Sequence, residues 1–161
     1  MIYGYTNDRN MIVFIKMVDK LRLFPVISHG ESLLQPVNGK DLGEAYYQIL
    51  MKPEAIKGDY ILSGEKPISM LEMFKLISDG LGKKTIFISV PLRLGVFIAR
   101  CLKIISFGRA DFIEKVQRMG ENRSFPHAAA EKDFHYKPMN FAEGLKSEIS
   151  EYIETNSNIN K

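Results

Sequence analysis

The chain has no tryptophan and a single cysteine, Cys101. One thiol excludes a disulfide framework and a cysteine-rich zinc site. Cys101 falls in an apolar stretch with helical spacing, which predicts a buried structural thiol rather than a nucleophile. No apolar run is long enough to cross a bilayer. The most apolar window, Leu92 to Ile105, is interrupted by Arg93, Arg100 and Lys103, so membrane insertion is not expected. No basic region followed by an apolar run and a cleavage site opens the chain, and a cytoplasmic location is the expectation. A dominant charge is also missing: 22 Lys and Arg stand against 19 Asp and Glu, and among basic residues only Lys83 and Lys84 are adjacent. A net charge of +3 suits an anionic small molecule but falls short of a nucleic-acid footprint.

Familiar catalytic patterns are absent too. A dinucleotide site needs glycines at a strand-to-helix turn, where backbone N–H groups approach a pyrophosphate closely. There is no G-x-G-x-x-G, and Gly80-x-Gly82 follows a helix and precedes a strand, the reverse of the required order. None of the seven tyrosines has a lysine four residues later, so a Tyr-x-x-x-Lys proton-transfer pair is missing. No G-x-S-x-G, H-E-x-x-H or G-K-[ST] segment occurs. His29, His127 and His135 lie far apart and lack metal-ligand spacing, which makes structural or exposed roles the expectation for each.

What remains is an ordinary globular composition, 45% hydrophobic and 25% charged over 161 residues, enough for one domain with a real core. Ile2 to Tyr5 is a β-prone run ending near Gly4. A polar loop, Thr6 to Asn10, leads into a predicted helix, Met11 to Leu21. Phe24 to Ile27 reads as a strand, His29 to Ser32 as a turn and Gln35 to Asn38 as an extended segment. Asp41 opens a helix that reaches about Met51 and stops at Pro53. Tyr60 to Leu62 reads as a strand closed by Ser63-Gly64. Ser69 and Glu72 form a capping box before a helix from Met70 to about Asp79, ended at Gly80 or Gly82. Lys84 to Val90 is a predicted strand, and Pro91 starts a helix to about Ile105, expected to be buried, with an interfacial helix over Val96 to Ile105 and its basic flanks as the alternative. Further helices are predicted at Ala110 to Met119 and, after the Asn140/Glu143 cap, at Phe141 to about Ile153. Residues 1–154 form one unit, with Gly108 its weakest joint, and 155–161 a flexible tail.

The order of these segments is informative. Ile2-Tyr3-Gly4 with its polar loop and helix is followed by Gln35-Pro36-Val37-Asn38 with Asp41. Gly58-Asp59-Tyr60-Ile61-Leu62-Ser63-Gly64 comes next, then the Ser69/Glu72 cap and Gly80-Leu81-Gly82. Phe134-His135-Tyr136-Lys137-Pro138 with Phe141, Glu143 and Gly144 closes the series. Together they resemble the C-terminal half of the extended short-chain dehydrogenase/reductases, the nucleotide-sugar epimerase/dehydratase family. The resemblance runs to about residue 153.

The resemblance implies an α/β fold: the terminal strands of a Rossmann-like parallel sheet, a smaller mixed α/β substrate-binding lobe and a helix-rich C-terminus. It also implies that the Gly-rich NAD(P) loop and the Tyr-x-x-x-Lys pair belong to a half that precedes Ile2. NAD or NADP is then the cofactor of the intact enzyme, and none is expected to bind this chain alone. A nucleotide-sugar-like molecule is the expected ligand. Carried over by position, Tyr3 and Gly4 lie near the cofactor, Tyr5 and Arg9 near nicotinamide and sugar, and Gln35 and Asn38 near the nucleotide. Arg118 or Arg123 supplies a guanidinium fork for a diphosphate. Two departures stand out: Leu34 where many members have a phosphate-holding arginine, and Asn38 where a histidine is frequent. An uncovered face predicts self-association of the isolated chain. The alternative is a free-standing binding or interaction module that has lost catalysis.

Overall fold

A computed structural model describes residues 1–5, 7–51, 54, 58–106 and 112–159. The predicted stop at Pro53, the joint at Gly108 and the predicted helix start at Ala110 lie outside these residues. The described chain is mixed α/β. It runs β1 (Ile2–Tyr3), α1 (Met11–Lys20), β2 (Leu23–Ile27), a 3-10 turn (Ser28–Gly30), β3 (Leu33–Leu34), β4 (Val37–Asn38) and α2 (Gly39–Met51). Then follow β5 (Ile68–Ser69), α3 (Met70–Gly80), β6 (Ile86–Val90), α4 (Leu92–Ile105), α5 (Ile113–Arg118), α6 (Ala128–Phe134) and α7 (Phe141–Ile159).

Two parallel pairs carry the crossovers. β1 lies beside β4, with Ile2 opposite Val37 and Tyr3 opposite Asn38. β2 lies beside β6, from Leu23 opposite Ile86 to Ile27 opposite Val90. A third pair, β3 with β5, is antiparallel. After β6 the described chain is helical except for a single bridge from Arg123 to Leu34. The helix-rich C-terminus is therefore as expected.

The main core joins α1, α3 and α7 to the β2/β6 pair. Apolar residues recur every three or four positions on α1 and α3, so Met11, Ile15 and Val18 meet Met73, Phe74 and Ile77. Phe74 is the hub, 4.5 Å from the Phe24 ring and 5.4 Å from Phe14. Leu145, Ile149 and Tyr152 close this core from α7. A smaller core holds Ala45, Ala130, Phe134 and Tyr136, with Tyr60 and Leu62 against it.

The Ser69 half of the capping box at α3 is formed: the Glu72 N–H donates to Ser69 Oγ at 3.1 Å. Ser69→Ala should cost about 1 kcal/mol, read as a lower urea midpoint with an unchanged slope. Elsewhere the structure departs from expectation. Tyr60 to Leu62 forms no strand; its side chains pack onto α6 instead of its backbone joining a ladder. Helix α7 continues past Ile153 to Ile159, with Thr155 Oγ1 and Ser157 Oγ donating to the carbonyls of Glu151 and Ile153. Cys101 is only half-buried, because α4 turns its small residues, Gly95 and Ala99, inward.

Candidate functional site

Two polar clusters stand out from the apolar packing. The first lies where β1 and β4 meet the start of α7. Tyr3 is 1% exposed, and its hydroxyl is hydrogen-bonded to Asn38. Asn38 Oδ1 accepts from the Lys40 N–H at 2.9 Å, which leaves Nδ2 to donate to the tyrosine oxygen. Burial pushes the Tyr3 phenol up to about 12, with the carboxylates of Asp41 and Glu148 adding to the rise against the opposing Asn38 bond. Tyr3 thus holds its proton at neutral pH and acts as a fixed strut. A Cβ on Gly144 would lie 2.3 Å from that hydroxyl, so α7 approaches β1 this closely only with glycine there.

The same cluster contains a buried acid pair. Gly4 N–H donates to Glu148 Oε2 at 2.9 Å, and Glu148 is 1% exposed. Burial raises the Glu148 carboxyl to about 8, and the adjacent Asp8 adds its charge and a hydrogen bond to that rise. Asp8 Oδ1 meanwhile accepts from the Asn10 N–H at 2.6 Å, at the start of α1. The second oxygens, Asp8 Oδ2 and Glu148 Oε1, find no other described partner. The proton that Glu148 retains lets its carboxyl donate to Asp8.

The second cluster lines a cleft of about 400 Å³ whose walls include Gln35, Glu65, Phe125, His127 and Glu131. Gln35 is fixed on both sides of its amide. Its Nε2 donates to Gly64 O at 2.7 Å and its Oε1 accepts from the Phe125 N–H at 2.9 Å. Ser63 Oγ lies 2.7 Å from Phe125 O and 2.8 Å from His127 Nδ1. A hydroxyl has one proton, and a carbonyl can only accept. Ser63 therefore donates to Phe125 O, and His127 Nδ1–H donates to Ser63. The pair resembles a nucleophile and its base, but its proton order is opposite to that needed for activation. Its effect is to fix the imidazole tautomer, leaving Nε2 as the nitrogen that Ser63 does not engage.

No family model matches the chain, and no curated protein matches it. Solved structures do. An epimerase from Methanothermobacter thermautotrophicus aligns with 99% of this chain and 43% of its own, at TM-score 0.69 and 14% identity. The UDP-glucose 4-epimerase of Thermotoga maritima, solved with UDP-glucose, aligns over 96% and 44%, at TM-score 0.63 and 15% identity. A dTDP-glucose 4,6-dehydratase from Streptomyces venezuelae, solved with NAD, aligns over 97% and 42%, at TM-score 0.61 and 16% identity. This chain has the fold of part of these epimerases and dehydratases. It spans less than half the length of each.

Against that epimerase-like fold the residues chosen from sequence divide into groups. Tyr3, Gly4 and Asn38 come together in the first cluster, with the Tyr5 ring beside Gly39. Gln35 belongs to the second. The Arg123 N–H donates to Leu33 O at 2.7 Å, and its residue bridges to Leu34, so a guanidinium-bearing residue adjoins the position where Leu34 lacks one. Arg118 is exposed and pairs with Glu114 at 3.5 Å, and Arg9 is exposed in the loop before α1. Sequence reasoning missed the Asp8–Glu148 pair and the grouping of Ser63, Glu65, His127 and Glu131. Their only signal was that Ser63-Gly64 belongs to one element of the resemblance and that His127 and Glu131 stand just ahead of another, which opens at Phe134.

The described residues of the turn after β1 do not fit a dinucleotide pyrophosphate. Gly4 N–H is engaged by Glu148, and the Asp8 carboxylate sits at the start of α1. A Cβ at Gly4 would lie 2.8 Å from the Asn38 amide, so the Asn38 side chain fills that side of Gly4 where a phosphate would need to approach.

Proposed function

We propose that this chain is the substrate-binding part of an NAD(P)-dependent nucleotide-sugar epimerase or dehydratase, whose cofactor site and proton-transfer pair lie outside these residues. The observation that carries this reading is the alignment of 96–99% of the chain with less than half of such enzymes. The exposed apolar residues of β1 and α2 support it: Ile2, Tyr46, Tyr47, Leu50 and Met51 are all more than half exposed, as a face awaiting a covering layer is expected to be.

In this reading the cleft takes the neutral portion of the ligand. Its acids, Glu65 and Glu131, disfavour a phosphate and favour sugar hydroxyls or base N–H donors, while His127 adds a nitrogen of fixed tautomer. A diphosphate belongs toward Arg123, the residue next to the lining Ser124. The chain's own work is to hold and orient the ligand and exclude water from one side. Titration calorimetry of the chain with UDP- and GDP-sugars tests this. A nucleotide sugar is expected to bind, and His127→Ala to weaken that binding roughly tenfold, the worth of one good hydrogen bond. Absence of heat with every nucleotide sugar, or binding indifferent to His127, overturns the assignment.

A further inference from the structure

Helix α4 is amphipathic in reverse. It packs through small residues: a Cβ on Gly95 would lie 2.7 Å from Ile27 Cδ1 and 3.2 Å from Val116 Cγ1, and Ala99 is buried. Five of its large residues point away from the core. Leu94, Phe97, Ile98, Ile104 and Ile105 are 49%, 63%, 47%, 76% and 73% exposed. At 3.6 residues per turn these five fall within an arc of about 120°. Sequence reasoning expected this helix to be buried, and that expectation is reversed.

The charges follow the stripe. Arg93 and Arg100 sit along one border, Lys103 lies on the same helix, and α4 contains no acidic residue. The neighbouring Phe112 is 43% exposed with Lys115 Nζ 5.6 Å above its ring, while the nearby acid, Glu114, is paired with Arg118. With 14 residues the helix is about 21 Å long, too short to span a bilayer. No helix among the described residues is long and apolar enough to cross one.

We propose that α4 docks on an anionic lipid surface, lying in the headgroup plane with its apolar stripe inserted and its arginines at the phosphates. Charge complementarity selects this occupant. A second copy laid stripe to stripe would face Arg93, Arg100 and Lys103 with the same cations, and α4 has no carboxylate to pair with them.

Flotation of the full chain with phosphatidylcholine vesicles, with and without phosphatidylglycerol, tests the proposal. Binding is expected only where phosphatidylglycerol is present and is expected to weaken as salt is raised. The double variant F97E/I105E changes only exposed side chains. It should keep the wild-type far-UV circular dichroism and lose at least roughly tenfold in vesicle-bound fraction. R93Q/R100Q should lose the preference for the anionic lipid. Failure to float with phosphatidylglycerol, or flotation unchanged in F97E/I105E, overturns the proposal. So does a dimer that F97E/I105E dissociates in the absence of any vesicle binding, a result that assigns the stripe to a second copy.

Discussion

Gly64→Ala is expected to destabilise the protein by about 3 kcal/mol, the upper end of what an overpacked interior costs. A Cβ at Gly64 would stand 1.9 Å from Pro36 O and 2.9 Å from Pro36 C. Both are backbone atoms, so no side chain can rotate away. Pro36 cannot retreat freely either. The next residue's N–H donates to Met1 O at 2.9 Å, and the preceding Gln35 holds Gly64 O and the Phe125 N–H. Relief at one bond breaks another, and the cleft wall moves with it. Gly43→Ala is the control: nothing lies within 4 Å of its Cβ, and α2 should gain up to about 1 kcal/mol in helix propensity. Urea denaturation of both variants decides the matter. A midpoint for Gly64→Ala within error of wild type would show that the 35–37 and 63–64 backbones are not locked together.

That contact also shows where sequence reasoning stops. Helix α3 was legible because its start is local: Ser69 and Glu72 are three residues apart, and the bond forms within one turn. Helix α1 was legible because a buried stripe imposes a 3.6-residue period on its sequence, and α2 because Asp41 marks its first turn. The β3/β5 pair was not, since two residues per strand carry no period and the partners are far apart in the chain. Tyr60 to Leu62 has strand-like residues, yet Tyr60 OH donates to Asp133 Oδ2 and Tyr136 OH donates to Ser63 O, which tie the segment to α6 and the residues after it. Helix α6 was overlooked because seven residues are too few to establish a period, and its end contradicts simple rules: His135 takes a left-handed conformation, φ 60°, where glycine is the ordinary choice.

The candidate site was half legible for the same reason. The resemblance put Tyr3 and Gly4 near the cofactor and Asn38, with Gln35, near the nucleotide; in the structure Tyr3, Gly4 and Asn38 meet across one parallel strand pair while Gln35 lies in the other cluster. Their chemistry differs from expectation: Asn38 braces Tyr3 and Lys40, and Gly4 serves Glu148. Glu148 itself sits on α7 among ordinary surface-type residues, and nothing in Ser147-Glu148-Ile149 marks it as buried. Only the 144-residue separation closed by the Gly4 bond reveals it. The buried and exposed readings of α4 could not be separated from sequence for the opposite reason. A helix with apolar residues on its outer face has the same period as one with them inside.

Glu148→Gln is expected to abolish a pH dependence of stability that the wild-type protein shows between about pH 5 and 8. The Glu148 carboxyl, ordinarily near 4.5, is raised to about 8, chiefly by burial and then by Asp8, against the opposing Gly4 N–H bond; Glu151 adds a smaller rise. A raised carboxyl means that the folded chain holds a proton which the unfolded chain releases. The resulting stability is fully present below about pH 4.5 and is lost as pH climbs toward 8. It declines by up to about 1.4 kcal/mol per pH unit between those two values. Asp41, also raised by burial, changes stability in the same direction, so the comparison must be between variants. Asp19 lies on the other side of the sign. Burial opposes its ionisation, but bonds from Lys83 and Tyr152 outweigh that, and its contribution disappears only as pH falls through the acid range. Glutamine copies the protonated acid: its oxygen accepts from Gly4 and its N–H₂ donates to Asp8, with no proton to lose. Urea midpoints at pH 5 and pH 8 should therefore fall for wild type and stay level for Glu148→Gln, making the variant the more stable protein at pH 8. Parallel declines in both proteins would show that the Asp8–Glu148 pair does not hold the proton.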